Sequence, residues 1–339
     1  MTFPCAKVAD TPPLFVFGME RSGTTLLSMM LDAHSEIAVP LATGGFWYDL
    51  ADRIGGDAGV DSAAKLDAVV AEVCAHPRIA RWRLTTAPAD IADQCRVGAF
   101  ASIVRAFHAG YAAQEGKAHW ANLDIATLDE MHRANAWFPN ARFLHIYRDG
   151  RDVAVSNRTM PYGPGNLAEC LDAWRVRVRT NLRMGAIVGA SRYCAVAYED
   201  LVARPEVTLR RICSFLGLAF EPAMLDSAAR ARAKIPADRR WLWPKLSQRI
   251  DAEGVSRWRR ELNRTQQRVA ERHAGELLRE LGYPAAPVQG RSIAAECLDL
   301  IYFLDRGKRT RRLLSALGLN RPSKLERAAR RRPARVSPA

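Results

Sequence analysis

Several absences narrow this 339-residue chain before any motif is considered. Its seven cysteines, Cys5, Cys74, Cys95, Cys170, Cys194, Cys213 and Cys297, stand singly. They have neither the CxxC and Cys/His spacings of a zinc site nor the even framework that staples small secreted domains. Most of them are expected to be buried thiols, and no metal is expected. The opening MTFPCAKVADTPP has neither the basic start nor the apolar run of a secretion signal. No uninterrupted apolar stretch reaches the roughly 18 residues that would cross a bilayer. The expected location is cytoplasmic. No internal repeat is found, which excludes a solenoid.

Acidic residues are scarce in one place only. Residues 291–339 hold 13 Lys and Arg against 4 Asp and Glu, and so carry +9 of the net +14. The other 290 residues have the balance of an ordinary enzyme body, and a body built around a nucleic-acid groove is not expected. With 48% hydrophobic residues, the chain can bury a large core.

Apolar LFVF at 14–17 stops at Gly18, and the residues from Leu26 to Leu31 are mostly apolar. That order reads as buried strand, tight loop, helix. A helix is predicted over 61–75, with Asp61 and Ser62 at its start, Leu66, Val69, Val70 and Val73 inward, and Pro77 as its stop. A second places Val97, Phe100, Val104, Phe107 and Tyr111 on one face. RFLHIY at 142–147 reads as a strand, with the Arg148-Asp149-Gly150 loop and a helix after it. From Leu167 a helix turns Leu171, Trp174, Val178 and Leu182 inward and leaves Arg175, Arg177, Arg179 and Arg183 as solvated surface. Residues 193–198 form a further strand and 205–216 a helix ending at Gly217. Strands alternating with helices imply an α/β fold with a central, mainly parallel, helix-covered sheet. After Pro284 the composition changes, dividing the chain into a domain at 1–284 and a basic appendage with a short amphipathic helix at 285–339.

GMERSGTT at 18–25 has the spacing G-x4-G-x-[ST] of a phosphate-binding loop. A helix N-terminus behind it offers unpaired N–H groups and the positive end of the dipole, which suit an anion. Thr24 stands where nucleoside triphosphate enzymes place a lysine against the β/γ-phosphates, next to a Mg²⁺-binding hydroxyl. Arg21, Ser22, Thr24 and Thr25 suit a less charged phosphosulfate held by hydrogen bonds alone.

PLFVFGMERSGTTLLSMMLDAH resembles the 5′-phosphosulfate loop of the sulfotransferases that use 3′-phosphoadenosine 5′-phosphosulfate (PAPS), particularly their bacterial and tyrosylprotein branches. FLHIYRDGRDVAVS resembles the family's 3′-phosphate segment, in which an arginine at the strand's end and a serine eight residues later grip that phosphate. Those positions are Arg148 and Ser156. An arginine just past a strand and a serine in the second turn of the next helix can converge on one anion. Arg151 and Asp152 read instead as partners in salt bridges of an Arg/Asp-rich surface turn. Weaker matches put Tyr198 near the nucleotide and let Arg257, in DAEGVSRWRREL, close over it; Trp258 could stack on adenine or pack in a core. The resemblance covers about 13–284 and implies a P-loop kinase-like α/β fold. It also implies transfer of a sulfuryl group from PAPS, bound by Arg21, Ser22, Gly23, Thr24, Thr25, Arg148, Ser156, Tyr198 and Arg257.

The resemblance breaks at two places. Ala42 occupies the position of the family's usual glutamate, and Leu123 that of its usual lysine. A general base for an alcohol acceptor must then come from elsewhere, with Asp124 the nearest acid and Asp49 and His119 as others. Alternatively the acceptor hydroxyl is itself acidic, or the protein binds nucleotide without efficient transfer. Arg21 and Asp124 are the catalytic candidates; His34 and His145 read as packed residues. A small-molecule, lipid or glycan acceptor is expected, with no nucleic acid partner. An ATP-dependent small-molecule kinase is the rival reading, opposed by Thr24 and by the Arg148/Ser156 pair. Ile293, Leu298, Leu300, Ile301, Phe303 and Leu304, followed by arginines, allow either peripheral contact with an anionic membrane or packing on the body.

Overall fold

The structure is a computed structural model that describes residues 11–43, 45–124, 128–158, 160, 164–235, 253–288 and 290–305. The chain forms two compact units. The first comprises residues 1–147 with 180–252, and the second 148–179 with 253–339. This division differs from the compositional one at 284/285: the described residues on both sides of Pro284 belong to the second unit.

In the first unit, strands β1 (Leu14–Phe17), β2 (Ile37–Ala38), β3 (His119–Asp124), β4 (Arg142–Tyr147) and β5 (Tyr193–Ala197) form one sheet in the order β2-β3-β1-β4-β5. Every pairing is parallel. Because side chains alternate along a strand, the sheet has two apolar faces. Phe15 and Phe17 with Trp120 and Phe143 enter one core cluster. Leu14 and Val16 with Ala121, Leu123, Leu144 and Ile146 enter the other. The first cluster is completed by helices α1 (Phe46–Ile54), α2 (Ala63–Ala75) and α3 (Phe100–Gln114). The second is completed by α4 (Thr24–Asp32), the helix behind the glycine loop, and α5 (Pro205–Leu216). A parallel sheet covered on both faces is the architecture expected from the strand and helix alternation.

The predicted helix at 61–75 is α2. It starts at Ala63 with Ser62 as N-cap and buries Leu66, Val69, Val70 and Val73. Pro77 opens a further short helix, Pro77–Ala80. Val97 does not join the face of α3: it is 45% exposed, and the helix begins only at Phe100. Gly98, at φ 72, breaks the backbone between them.

The second unit contains α6 (Gly150–Asn157), the start of α7 (Leu167–Val188), α8 (Arg264–Glu280) and α9 (Ile293–Asp305). Arg175, Arg177 and Arg179 of α7 are half-buried, more covered than a solvated face would be. Arg179 bonds Glu276 and Glu280 at 2.8 and 3.0 Å.

Candidate active site

The loop predicted from GMERSGTT leaves the carboxyl end of β1 in a confined space. A Cβ added at Gly18 would lie 2.3 Å from the Ile146 carbonyl oxygen, so the loop crosses the backbone of β4 at a distance only glycine allows. Gly23 is constrained twice. Its φ is 95, and a Cβ there would stand 2.5 Å from the Tyr198 ring. Arg21 is also left-handed, at φ 70. The Ser22 N–H donates to the Met19 carbonyl at 3.1 Å and closes the turn. Ser22 is wholly buried, and its hydroxyl has no hydrogen-bond partner among the described residues.

Helix α4 then starts with Gly23 as N-cap and no side-chain cap. Its first backbone bond runs from the Leu27 N–H to the Gly23 carbonyl at 3.0 Å. The N–H groups of the preceding turn are therefore turned toward the loop, together with the positive end of the helix dipole. Thr24 and Thr25 are half-buried at this end. A glycine loop packed directly on Ile146 and Tyr198, backed by a helix N-terminus and two hydroxyls, carries the donors that suit a phosphosulfate. Tyr198, the first residue after β5, packs its ring against Gly23, where a Cβ would otherwise stand.

Asp124 ends β3, in register with Phe17, the last residue of β1 before the loop. Its side chain lies outside the described residues. His119 is in register with Ile37 at the start of the same strand. Five residues of extended chain, about 17 Å, separate it from Asp124, which puts His119 at the amino end of the strand, away from the loop. Leu123 points into the second core cluster beside Val16 and Leu27. Ala42 is exposed. Close after it, Gly45 lies between two carboxylates: a Cβ there would be 3.3 Å from Glu130 Oε1 and 4.0 Å from Asp49 Oδ2. Glu130 was not singled out by the sequence, where it reads as an ordinary first-turn acid of the helix Leu128–Trp137.

His34 and His145 are packed. His34 donates through Nε2 to the Ala219 carbonyl at 2.8 Å and accepts the Glu36 N–H on Nδ1 at 3.0 Å. His145 is stacked on Phe17 and shares a 2.7 Å hydrogen bond with the Tyr193 hydroxyl; burial pushes it down to about 3.

In the second unit, Arg148 and Ser156 are both buried, the first just before α6 and the second inside it. Arg148 donates to the Gly254 carbonyl at 2.5 Å, and its own carbonyl accepts the Trp174 indole N–H at 2.9 Å. A Cβ at Gly150 would lie 2.5 Å from the Trp174 ring, so the start of α6 is fixed against that indole. Arg151 and Asp152 are structural, as expected, but buried instead of lying in a surface turn. Arg151 is wholly enclosed: it holds Asp149 through two bonds of 2.9 and 2.7 Å, donates to the Pro284 carbonyl at 2.9 Å, and lies 3.8 Å over the Trp258 ring. Asp152 accepts the Trp258 N–H at 2.8 Å. Burial pushes its carboxyl up, with that hydrogen bond and Arg148 pulling the other way. Trp258 is fully buried between Arg151 and Arg259, so it packs in a core and is closed to an adenine. Arg257 bonds Glu261 at 2.8 Å.

A parallel five-stranded sheet covered by helices, with a glycine loop and a helix N-terminus at the carboxyl end of a central strand, has the architecture of the P-loop kinase-like folds. The sequence profile of the sulfotransferase family matches residues 12–222, and the chain belongs to that family. Chicken protein-tyrosine sulfotransferase 2 is 28% identical over 223 residues, which are 64% of this chain and 54% of that protein. The nodulation protein NoeE of Sinorhizobium fredii is 25% identical over 329 residues, 88% of this chain and 71% of that protein. The chain thus spans about half the length of the tyrosylprotein enzyme it matches. Among solved structures, the sulfotransferase domain of the Synechococcus PCC 7002 olefin synthase has the same fold at a TM-score of 0.52 and 24% identity, covering 77% of this chain and 94% of that domain.

Proposed function

We propose that this protein is a PAPS-dependent sulfotransferase that transfers a sulfuryl group to a hydroxyl, or an amine, of a small-molecule, lipid or glycan acceptor. The observation that carries the reading is the cradle of Gly18 and Gly23, with Thr24 in place of a lysine, in a chain of the sulfotransferase family. The cradle gives an anion backbone N–H groups and two hydroxyls without the ammonium that a triphosphate requires.

In the proposed reaction the acceptor oxygen attacks sulfur as the bond from sulfur to the phosphate oxygen breaks. The acceptor loses its proton to a base, and 3′,5′-ADP leaves with the bonding electron pair. Arg21, Thr24, Thr25 and the start of α4 stabilise the charge that builds on the departing phosphate. The family resemblance assigns the 3′-phosphate to Arg148 and Ser156, and places Tyr198 and Arg257 near the nucleotide. Asp124 is the first candidate for the base, supported by its register beside Phe17. Cytoplasm is the compartment we assign, supported by the free state of all six cysteines among the described residues.

Calorimetry with 3′,5′-ADP and with ATP tests the reading. Tight binding of 3′,5′-ADP, weak binding of ATP, and loss of 3′,5′-ADP binding in Arg148→Ala with an unchanged unfolding midpoint are expected. A strong preference for ATP overturns it in favour of a kinase. Binding without transfer of ³⁵S from PAPS to any phenol, lipid or glycan tried reduces it to a nucleotide-binding protein.

A further inference from the structure

Helix α9 carries an unusual distribution of side chains. Five of the nine large apolar residues that stand exposed among the described residues lie on it: Ile293, Leu300, Ile301, Phe303 and Leu304. Ile293 is 79% and Phe303 65% exposed. Polar residues, by contrast, do the docking. Asp299 accepts from His273 at 2.7 Å and from Arg272 at 2.8 Å on α8, and the Tyr302 carbonyl accepts from Asn166 at 3.1 Å. His273 is also bound to Asp172, at 2.8 Å. The small Ala295 is the buried apolar residue of this contact. The helix is therefore held to its unit by a polar clamp, while its apolar stripe at 293, 300 and 304, spaced seven and four apart, is turned outward.

An exposed apolar stripe of this kind is uncommon on a soluble surface and calls for an occupant. The charge that follows supplies one. Residues 306–339, directly after this helix, contain 12 Lys and Arg against a single Glu. Apolar side chains followed at once by a dense cationic segment are the two attractions that hold a peripheral helix on an anionic bilayer. At 13 residues, α9 spans about 20 Å, too short to cross the hydrocarbon core. We infer that the outward face of α9 lies in the headgroup layer of an anionic membrane, an attraction that the positive charge of the sequence after it strengthens. This inference does not depend on the sulfuryl-transfer reading.

The test is co-sedimentation of the full-length protein with vesicles of phosphatidylcholine alone and of phosphatidylcholine mixed with phosphatidylglycerol. Pelleting with the mixed vesicles, weakened by high salt, and little with the neutral ones is expected. The variant Ile293→Ser/Leu300→Ser/Leu304→Ser changes only exposed positions. It should partition at least about tenfold less onto mixed vesicles, with unchanged 3′,5′-ADP binding and an unchanged unfolding midpoint. Three results would overturn the inference: no pelleting with mixed vesicles, pelleting of the triple variant equal to the parent, which leaves charge alone as the cause, or a dimer in sedimentation velocity that the triple variant dissolves while vesicle binding is absent.

Discussion

Replacing Asp32 with asparagine should destabilise the protein far more than its place at the end of a short helix suggests. The Asp32 side chain is fully buried at the end of α4 and receives the Arg230 guanidinium at 2.5 Å, the Lys234 ammonium at 2.7 Å and the Val39 N–H at 2.7 Å, with Lys117 at 3.8 Å. Glu115, paired with Arg230, shares the load of the three cations, and Glu221 adds its charge toward Lys117. Asparagine can still accept from Val39, but its amide N–H₂ would face donors, and the cations would lose the charge that compensates them. Removing one partner from such a buried network costs about 3–5 kcal/mol. At roughly 2–4 °C per kcal/mol for a domain of this size, Tm should fall by about 6–20 °C. Urea and thermal unfolding of Asp32→Asn, Lys234→Met and the double variant provide the measurement. The double variant should be less destabilised than the sum of the singles by about 1 kcal/mol or more, because Lys234→Met removes one stranded cation. A loss within about 0.5 kcal/mol for Asp32→Asn, or strict additivity, would refute the reasoning. The pH dependence gives a second readout. Burial alone would raise the Asp32 carboxyl, but Lys234, Arg230 and Lys117 together hold it below the usual range. Its contribution is therefore present above about pH 4 and lost as pH falls through the lowered native value. Burial pushes Lys234 the other way, down to about 8. Between about pH 8 and 10 the unfolded chain holds that proton and the folded one does not, so stability should rise with pH there, and Lys234→Met should remove the rise.

Gly23→Ala should abolish 3′,5′-ADP binding in calorimetry while leaving the far-UV circular dichroism intact, because both its φ of 95 and the Tyr198 ring exclude a Cβ. Adding Tyr198→Ala relieves the contact but not the backbone strain, so part of the binding at most should return; full binding by Gly23→Ala alone would refute the cradle. Trp258→Ala should cost about 3–5 kcal/mol in urea unfolding as a buried side chain is lost. A variant as stable as the parent and weakened only toward adenine nucleotides would contradict the packed reading.

Features coded by neighbouring residues were legible. The run LFVF, the stop at Gly18 and the hydroxyls at 24 and 25 lie within one short segment, and their spacing alone specifies strand, cradle and helix. The helix at 63–75 followed from its cap and its stripe. Features made by distant residues were not. Asp32 sits in LDAH, where nothing local reveals that its partners are Lys117, Arg230 and Lys234, 85 to 202 positions away. Trp258 is enclosed by Arg151 of a segment more than a hundred residues earlier, so its sequence neighbours could not decide between packing and stacking. His119 lies close to Asp124 in the chain, yet an extended strand sends the two to opposite ends of β3.

The same distinction bears on the base. At the two positions where the resemblance breaks, Ala42 is exposed and Leu123 is packed in the core with Val16, and neither side chain carries a group that can take a proton. A carboxylate serving the acceptor must belong to a segment that the fold brings to the carboxyl end of the sheet, because the cradle lies there. That condition removes His119. It retains Asp124, the first candidate named above, whose register is beside Phe17, the last residue of β1 before the loop.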